Sequence, residues 1–256
     1  MKNIFNKKLI ERYSRQIVLK NVGPSGQKKI IGSRVLVVGA GGLGCPVIDY
    51  LSRAGVGNIG VIDHDKVNIS NIHRQSLYNS KDIGKFKVNV LKKKIKLVNS
   101  KVKIKTFKKR IERKNIEKIF KGYDFIVDGS DNFKTKFLLN KYSIKYKKTL
   151  IVGAISKMDG HIFTFDFKNK NNPCLKCFYQ SEPSDEVLNC EFEGILGPVA
   201  GIVGNIQATE ILKKILNLSK ESNKKILILD LLDLNFRKVK LKKNSSCRNH
   251  LHVLGK

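Results

Sequence analysis

Four glycines and one carboxylate early in the chain have the types and the spacing that suit phosphate and sugar chemistry. The glycines follow a G-x-G-G-x-G pattern at Gly39, Gly41, Gly42 and Gly44. Without a Cβ, such residues can form an unusual turn and let a phosphate reach backbone N–H groups at a helix N-terminus. Asp63 comes about 20 residues later, where a carboxylate can accept hydrogen bonds from ribose hydroxyls. The pattern therefore predicts nucleotide binding, although glycines between a strand and a helix also occur in simple tight turns.

The residues around these glycines predict the elements that would position them. In the segment Arg34–Val38, the four residues after the arginine are apolar without alternation, as expected of a central strand buried on both faces of a parallel sheet. Apolar residues at helical intervals follow the glycines, and Gly55 and Gly57 end that helix. Asn58–Ile62 then forms a second strand that leads to Asp63. We therefore predict an α/β fold with a Rossmann-like, doubly wound, mainly parallel sheet.

Apolar runs and alternations in the rest of the chain predict further strands and helices. The strands are expected over 102–107, 123–128, 149–155, 160–166, 226–230 and 236–241, and the helices over 85–98, 111–120, 133–146 and 194–213. The C-terminal strands are expected to be antiparallel. An N-terminal helical arm is expected over 1–32, with 23–26 separating two helices. The 256 residues are predicted to form a single domain, because no segment resembles a long linker.

The composition bears on the partners of the protein. The net charge of +30, taken alone, favours a nucleic-acid or anionic-membrane partner. However, the 42 lysines and 9 arginines are spread along the chain and do not cluster with aromatic residues, so we expect no specific nucleic acid. No apolar run approaches the roughly 18 residues of a membrane span, and residues 1–9 lack a signal-peptide core. We therefore expect a cytoplasmic protein without a membrane partner.

Polar and charged residues follow several strands at the edge where a doubly wound sheet binds its ligands. Arg74 lies in a polar loop after the second strand, and we interpret it as a phosphate ligand. Lys87 lies in the first turn of a helix, where the helix dipole disfavours a cation unless an anion is nearby. Asp131 and Asn132 follow the strand over 123–128. Either residue could cap the next helix, and Asp131 could hold a metal as well.

Two pairs of metal-ligand residues have the spacing of a tetrahedral zinc site. Cys174 and Cys177 form one pair, and Cys247 and His250 form a second pair at the same spacing, in a C-terminal tail over 243–256. Two such pairs can close around one ion, because thiolates two residues apart can bind it from a single turn. The alternative is that the first pair has no metal function and that His250 is a surface residue. An odd set of five cysteines without an export signal argues against disulfides.

Eight short motifs, in this order, resemble the ThiF/MoeB/HesA family, which comprises bacterial relatives of the ubiquitin-activating enzymes. They are RYSRQI at 12–17, GAGGLG at 39–44, DHD at 63–65, SNIHRQ at 70–75, Gly84 with Lys87, DGSDN at 128–132, CLKC at 174–177 and GPVAG at 197–201. Together they cover nearly the whole chain. The resemblance implies ATP-dependent adenylation of the C-terminal Gly-Gly of a ubiquitin-like sulfur carrier protein, with release of pyrophosphate. A separate sulfur donor would then supply the sulfur of a thiocarboxylate.

The resemblance also assigns roles to particular residues, with Mg²⁺ and zinc as the metals. The implied ATP-binding set comprises Gly39, Gly41, Gly42, Gly44, Asp63, Asp65, Asn71, Arg74, Gln75, Lys87, Asp131 and Asn132. Arg74 and Lys87 would contact the phosphates and Asp131 would hold magnesium, so catalysis would rest on positive charge around the phosphates. In the family, the arginine that matches Arg15 reaches the ATP of the neighbouring subunit, which implies a homodimer.

Departures from the family pattern leave some roles open. His250 stands where relatives usually have a cysteine, and His252 competes with it as the fourth zinc ligand. Cys190 lies in a loop over 181–195 that we expect to be mobile, where some relatives carry a cysteine that takes up sulfur or an acyl group. Other members of the family adenylate their carriers without such a step. These residues do not specify the pathway, which is molybdopterin synthesis, thiamine thiazole synthesis or another thiolation.

Two other functions are each supported by a single feature of the chain. An NAD-dependent oxidoreductase uses the same glycine turn and carboxylate. However, no tyrosine here is followed four residues later by lysine, as in short-chain dehydrogenases, and no second substrate domain is visible. A noncatalytic role in association with nucleic acid would account only for the high positive charge of the chain. A P-loop ATPase is excluded, because no Gly-Lys pair is followed by Ser or Thr.

Overall fold

An eight-stranded sheet forms the centre of the structure, a computed structural model that describes residues 6–179, 181, 183, 194–218 and 221–247. The strands are β1 (Arg34–Val38), β2 (Asn58–Ile62), β3 (Lys103–Phe107), β4 (Phe125–Asp128), β5 (Thr149–Ser156), β6 (Asp159–Asp166), β7 (Lys225–Asp230) and β8 (Asn235–Lys240). Their order across the sheet is β3-β2-β1-β4-β5-β6-β7-β8. Each predicted strand is present, with small shifts at the ends.

The sheet combines a parallel half with an antiparallel half. The pairs β1–β2, β2–β3, β1–β4 and β4–β5 are parallel. The strands β6, β7 and β8 add to β5 in antiparallel order. Parallel neighbours need long crossover connections, which explains why helices alternate with the strands up to β5. The predicted Rossmann-like, doubly wound sheet with antiparallel C-terminal strands is confirmed.

Helices cover both faces of this sheet. They are α1 (Lys7–Ile17), α2 (Gly23–Gly32), α3 (Gly44–Ala54), α4 (Lys87–Val98), α5 (Arg113–Phe120), α6 (Phe133–Lys145), the single turn α7 (Leu175–Phe178) and α8 (Gly197–Leu216). The last of them begins and ends a few residues later than predicted. None of the helices in the described part of the chain is long and apolar enough to cross a membrane.

The starts of α2 and α4 differ from the predictions for reasons that the structure shows. The predicted break over 23–26 is wrong, because α2 begins at Gly23 and accommodates Pro24 in its first turn. A proline is tolerated there, since its missing N–H has no partner inside the helix in any case. The helix α4 begins at Lys87, later than predicted, because Phe86 is extended and forms an isolated β-bridge.

The central strand β1 is buried on both faces. Val35 and Val37 join a hydrophobic cluster with α3, α4 and α8 on one face. Leu36 and Val38 join a second cluster with α5 and α6 on the other face. Because successive side chains of a strand point to opposite faces, a strand in this place needs an apolar residue at every position. The predicted central strand is confirmed.

The order of the chain reverses at β1, which lies between β2 and β4. The helix that follows β1, α3, packs against one face of the sheet through residues such as Leu51. The helix that follows β4, α6, packs against the opposite face through residues such as Phe137. Connections that diverge in this way leave a crevice outside the carboxyl ends of the strands, where doubly wound sheets bind ligands.

The N-terminal helix α1 packs at the opposite end of the sheet. Its Tyr13 is buried, and the Tyr13 hydroxyl accepts a hydrogen bond from Asn99 Nδ2 at 2.9 Å. A Cβ on Gly55 would lie 2.5 Å from the Tyr13 ring, so the glycine makes room for the ring. Asn99 precedes β3 and Gly55 precedes β2. The arm is therefore held at the amino edge of the sheet, away from the carboxyl ends of the strands.

Candidate active site

A cleft of about 1130 Å³ opens at the carboxyl ends of β1, β2 and β4. Its walls come from the loops that follow these strands and from the first turns of α4 and α6. The predicted ATP-binding residues all line this cleft except Gly44. The fold thus brings together side chains from several separate parts of the sequence, because parallel strands end at one edge of the sheet.

The glycine turn contains residues that shape the backbone and residues that leave room for a ligand. Gly39 has a φ of +92°, and a Cβ there would lie 2.6 Å from the carbonyl oxygen of Gly129. A Cβ on Gly44 would lie 2.0 Å from the carbonyl oxygen of Gly39. The packing of the protein itself therefore requires these two glycines. On Gly41 a Cβ would make only an ordinary contact, 3.6 Å from Gln75, so the space beside Gly41 is open to a phosphate.

The carboxylate of Asp63 holds the glycine turn as well as facing the cleft. Its Oδ2 accepts a hydrogen bond from the Ala40 N–H and its Oδ1 accepts one from the Asp65 N–H, both at 2.7 Å. Burial raises the pKa of Asp63, and the nearby ammonium of Lys87 opposes that rise. Each carboxylate oxygen has two lone pairs, so both oxygens can still accept hydrogen bonds from ribose hydroxyls. Asp63 therefore fits the predicted sugar contact.

Two cations, Lys87 and Arg74, line the cleft beside this turn. The Lys87 side chain is buried, and its Nζ lies 3.0 Å from Asp65 Oδ2. This ion pair offsets the unfavourable position of a cation at a helix N-terminus. Arg74 is partly buried, and its Nη1 donates a hydrogen bond to the Ser70 carbonyl oxygen at 2.9 Å. Phosphates placed at the turn would meet both positive charges.

Gln75 carries an acceptor that the rest of the described protein leaves unsatisfied. Its side chain is buried, and Oε1 has no hydrogen-bond partner among the described residues. Because an unsatisfied buried acceptor is costly, a donor from a ligand would stabilise this site. The carbonyl oxygen of Asn71 accepts hydrogen bonds from the backbone N–H groups of Arg74 and Gln75 at 3.1 and 3.0 Å. Asn71 thus fixes the backbone that carries both side chains.

The loop after β4 presents Asp131 to the cleft. Asn132 caps α6, because its Oδ1 accepts a hydrogen bond from the Thr135 N–H at 2.9 Å. The Asn132 Nδ2 donates to Asp131 Oδ1 at 3.2 Å. Asp131 is exposed, and magnesium sites in proteins often combine one or two carboxylates with substrate phosphates and waters. The position of Asp131 therefore fits a magnesium ligand.

A buried network behind this loop was missed by reasoning from the sequence. Lys136 in α6 is paired with Asp128 at the end of β4, with 3.3 Å between Nζ and Oδ2. Burial raises the pKa of Asp128, and Lys136 opposes that rise. Gln207 in α8 donates from Nε2 to the Asp128 carbonyl oxygen at 2.8 Å. The sequence did contain a signal, because Lys136 lies on the same helix face as the core residue Phe133. A lysine on a buried face rarely lacks a partner, so this position predicts an ion pair.

Several predicted site residues are not placed in the cleft of this chain. Arg15 is exposed on α1, at the amino edge of the sheet, and is not among the residues that line the cleft. Cys190 and His250 lie outside the described residues, as does His252. Most of the loop predicted over 181–195 lies outside them too. Within one chain, the cleft therefore lacks the arginine that the family resemblance places on the ATP.

Three of the predicted zinc ligands meet at another place in the fold. The sulfur of Cys174 lies 3.7 Å from that of Cys247 and 3.9 Å from that of Cys177. A tetrahedral site with zinc–sulfur bonds of about 2.3 Å has sulfur–sulfur distances of about 3.8 Å. Two of the three distances match this value, and all three sulfurs lie within 4.8 Å of one another, so the cluster fits a zinc ion. Cys177 Sγ also accepts a hydrogen bond from the Asn244 N–H at 3.4 Å.

The protonation of this cluster depends on whether a cation is bound. The hydrogen bond with Cys177 and burial raise the pKa of the Cys174 thiol. Adjacent thiolates repel one another, so neighbouring sulfurs in a buried place hold their protons unless a metal replaces them. The donor set thus suits a soft, thiolate-binding ion such as zinc.

The comparison with protein families decides where this chain belongs. The ThiF family matches residues 13–249, which is most of the chain. The chain belongs to the ThiF family. The resemblance drawn from the eight motifs is thereby confirmed.

Named ThiF-family relatives match nearly all of this chain. A sulfur carrier protein adenylyltransferase of Thermus thermophilus is 37% identical over 247 residues, which are 95% of this chain and 91% of the relative. A probable molybdopterin-synthase adenylyltransferase of Gracilaria tenuistipitata is also 37% identical, over 94% of this chain and 68% of that protein. The adenylyltransferase and sulfurtransferase MOCS3 of Dictyostelium discoideum is 40% identical, over 93% of this chain. The chain spans only 56% of that longer protein.

Solved structures share the fold at lower identity. MccB of E. coli, crystallised with ATP, matches with a TM-score of 0.80 and 22% identity, over 93% of this chain and 74% of that chain. PaaA matches with a TM-score of 0.80 and 23% identity, over 95% of this chain and 77% of that chain. At these identities the likeness shows the fold alone.

The ThiF-family cleft has the parts for nucleotidyl transfer. It combines an open glycine turn, the carboxylate of Asp63, the two cations beside that turn and the exposed carboxylate of Asp131. Attack of a substrate carboxylate on a phosphate needs no covalent contribution from a protein side chain. None of the four cysteines that the structure describes lines the cleft.

Proposed function

We propose that this chain catalyses ATP-dependent adenylation of the C-terminal glycine of a ubiquitin-like sulfur carrier protein. The observation that carries the proposal is that Gly41, Asp63, Arg74, Lys87 and Asp131 line one cleft. The names of two relatives, sulfur carrier protein adenylyltransferase and probable molybdopterin-synthase adenylyltransferase, support it. The carrier is of the molybdopterin-synthase or thiamine-thiazole type.

The reaction exchanges one phosphorus–oxygen bond for another. A carboxylate oxygen of the carrier forms a bond to the α-phosphorus of ATP. The bond between that phosphorus and the oxygen bridging to the β-phosphate breaks, and pyrophosphate leaves with the electron pair. Negative charge builds up on the phosphate oxygens during this step, so nearby cations stabilise the transition state more than the ground state.

The residues of the cleft supply that positive charge and hold the nucleotide. Arg74 and Lys87 stabilise the charge on the phosphates, and Asp63 accepts hydrogen bonds from the ribose. Lys87 is already ordered by Asp65, so little reorganisation is needed when a phosphate replaces or joins that carboxylate. Asp131 would hold Mg²⁺, which when bound neutralises charge on the phosphates.

We further propose that a homodimer completes each site. Arg15 is exposed and lies at the edge of the sheet opposite to the cleft of its own chain. Buried Tyr13 holds α1 in place, so Arg15 projects from a fixed helix. Arg15 would add a third cation to the ATP of the neighbouring subunit.

The cysteine cluster has a structural role in this proposal. Cys174, Cys177 and Cys247 hold zinc, with His250 as the fourth ligand. A closed site of this type ties α7 to the segment that follows β8. The sulfur for the next step comes from a separate donor.

The decisive test is exchange of labelled pyrophosphate into ATP. Exchange is expected only when Mg²⁺ and a carrier ending in Gly-Gly are both present. The matched control is the same carrier without its terminal glycine, which places no carboxylate at the α-phosphorus. Exchange without any carrier would contradict the proposal, as would its absence with carriers of both types. Tight binding of NAD or of a specific nucleic acid in place of exchange would favour the rival functions.

A further inference from the structure

The buried pair of Lys136 and Asp128 lies behind the loop over 129–132, where Lys136 also borders the cleft. The two side chains are 1% and 0% exposed. The ammonium of Lys136 has three donors, and three acceptors surround it. These are Asp128 Oδ2 at 3.3 Å and the carbonyl oxygens of Ser130 and Gly153, both at 2.7 Å. Lys136 therefore connects the end of β4, the loop and the strand β5.

Stability alone is a poor explanation for such a pair. Taking two charges out of water is costly, and apolar residues of similar volume often replace a buried ion pair without loss of stability. A buried ion pair has more specific geometry than an apolar contact, because its hydrogen bonds have defined lengths and directions. The question is therefore which part of the site this geometry controls.

The pair holds Ser130, the residue directly before Asp131. The backbone N–H and the hydroxyl of Ser130 both donate to Asp128 Oδ1, at 2.9 and 2.5 Å. The carbonyl oxygen of Ser130 accepts from Lys136. On the other side of Asp131, Asn132 is fixed as the cap of α6. The backbone on both sides of Asp131 is thus held, although its own side chain is exposed.

The same loop is locked against the glycine turn. The Gly129 N–H donates to the Val38 carbonyl oxygen at 2.8 Å. A Cβ on Gly39 would lie only 2.6 Å from the Gly129 carbonyl oxygen, so the two backbones are in close contact. The position of the loop therefore sets the distance between Asp131 and the turn where phosphates would bind.

We propose that Lys136 is a positioning residue which, through Asp128 and Ser130, places Asp131 so that a magnesium ion on Asp131 meets phosphates at the glycine turn. The inference rests on the magnesium role proposed above for Asp131. It assigns no contact between Lys136 and ATP. The prediction is that breaking the pair weakens the magnesium-dependent part of ATP binding and leaves the magnesium-independent part in place.

The test measures ATP binding by isothermal titration calorimetry, in EDTA and in Mg²⁺, without any carrier. The main variant is the double substitution Lys136→Met with Asp128→Asn, which removes both charges and leaves no uncompensated one. Its ATP affinity in EDTA is expected to stay within about twofold of wild type. The tightening that Mg²⁺ produces is expected to fall by about 10-fold or more, as is typical when a residue that orients a metal ligand is lost.

Two further variants separate positioning from stability. Lys136→Arg keeps the charge and the donors, so it should retain most of the magnesium effect. Lys94→Met removes the partner of Asp82 in a different ion pair, away from the cleft, so it should lower the melting temperature and leave the magnesium effect unchanged. If the double variant does not fold, the isosteric single variant Asp128→Asn is measured in its place. Mg²⁺ should then tighten its ATP binding less than in wild type, by the same factor.

Several results would overturn the inference. One is a folded double variant with the full magnesium effect, or a folded Asp128→Asn with that effect if the double variant fails to fold. Another is an equal loss in Lys94→Met, which would make the effect one of stability. A wild type whose ATP affinity does not respond to Mg²⁺ would overturn it as well. Because no carrier is present, these outcomes are independent of whether the chain adenylates one.

Discussion

The cleft and the cysteine cluster both join residues that are distant in the sequence. They differ in whether the ligand groups are open to exchange or are buried against each other. In the cleft, Asp131 is exposed and Gln75 Oε1 has no partner among the described residues. In the cluster, Cys174 and Cys247 are buried, and their sulfurs contact each other. An open site can exchange its ligands, whereas a closed one holds a single ion for structure. Changes in the cleft should therefore affect activity more than stability, and changes in the cluster should do the reverse.

The largest expected effect comes from the charged groups of the cleft. Arg74→Ala and Asp131→Ala should each lower pyrophosphate exchange by about 10²-fold or more, because the first removes a proposed cation on the phosphates and the second removes the proposed magnesium ligand. The melting temperature should stay within a few degrees of wild type. Lys92→Ala is the matched control, since Lys92 is exposed on α4 and does not line the cleft. Full exchange in Asp131→Ala would remove the magnesium assignment.

Substitutions in the cysteine cluster should lower stability more than activity. Cys174→Ser should lower the melting temperature by roughly 10 °C, because a structural zinc contributes directly to folding and a few kcal/mol have about this effect in a chain of this size. Metal analysis should find about one zinc per chain in the wild type. ATP affinity in the folded protein should be nearly unchanged.

The control for the cluster is Cys45→Ser, because Cys45 is buried outside it and should leave the metal content unchanged. A wild type that is well folded and free of metal would contradict the zinc assignment.

Two glycines of the turn allow stability and ATP binding to be compared in the same way. Gly44→Ala places a Cβ against a backbone oxygen at 2.0 Å, so it should destabilise the fold strongly. Gly41→Ala meets only an ordinary contact in the protein, so it should cost no more than about 1 kcal/mol of stability. It should nevertheless weaken ATP binding by about tenfold, or about 1.4 kcal/mol, since its methyl group enters the phosphate space. Unchanged ATP affinity in Gly41→Ala would show that phosphates bind elsewhere.

The smallest effect is expected for Cys190→Ser. Attack of the carrier carboxylate on ATP needs no thiol, so pyrophosphate exchange should stay within about twofold of wild type. Formation of an acyl or persulfide link would need an exposed thiolate, and mass spectrometry of the carrier thiocarboxylate reports on that later step. A collapse of exchange with the fold intact would show that the two steps are not separate.

The sequence by itself determined the parts of this protein that depend on local pattern. The unbroken apolar run of β1 predicted a strand with both faces buried, because only such a strand lacks alternation. The glycines and Asp63 predicted a nucleotide site, because their spacing reflects one local strand–turn–helix–strand unit. The family motifs added residues such as Asn71 and Gln75, and the fold places them in the same cleft.

The tertiary structure alone decided what depends on contacts between distant segments. The sequence could not show that Lys136 is braced by Asp128 and Gly153, because a lysine in a helix is usually solvated and its partners lie on other strands. The spacing of the two ligand pairs predicted that Cys174 and Cys247 meet, but only the structure gives the distance of 3.7 Å between their sulfurs. The sequence also could not show that Arg15 lies outside the cleft of its own chain. Local periodicity records which face of an element is buried, but only packing decides which elements meet.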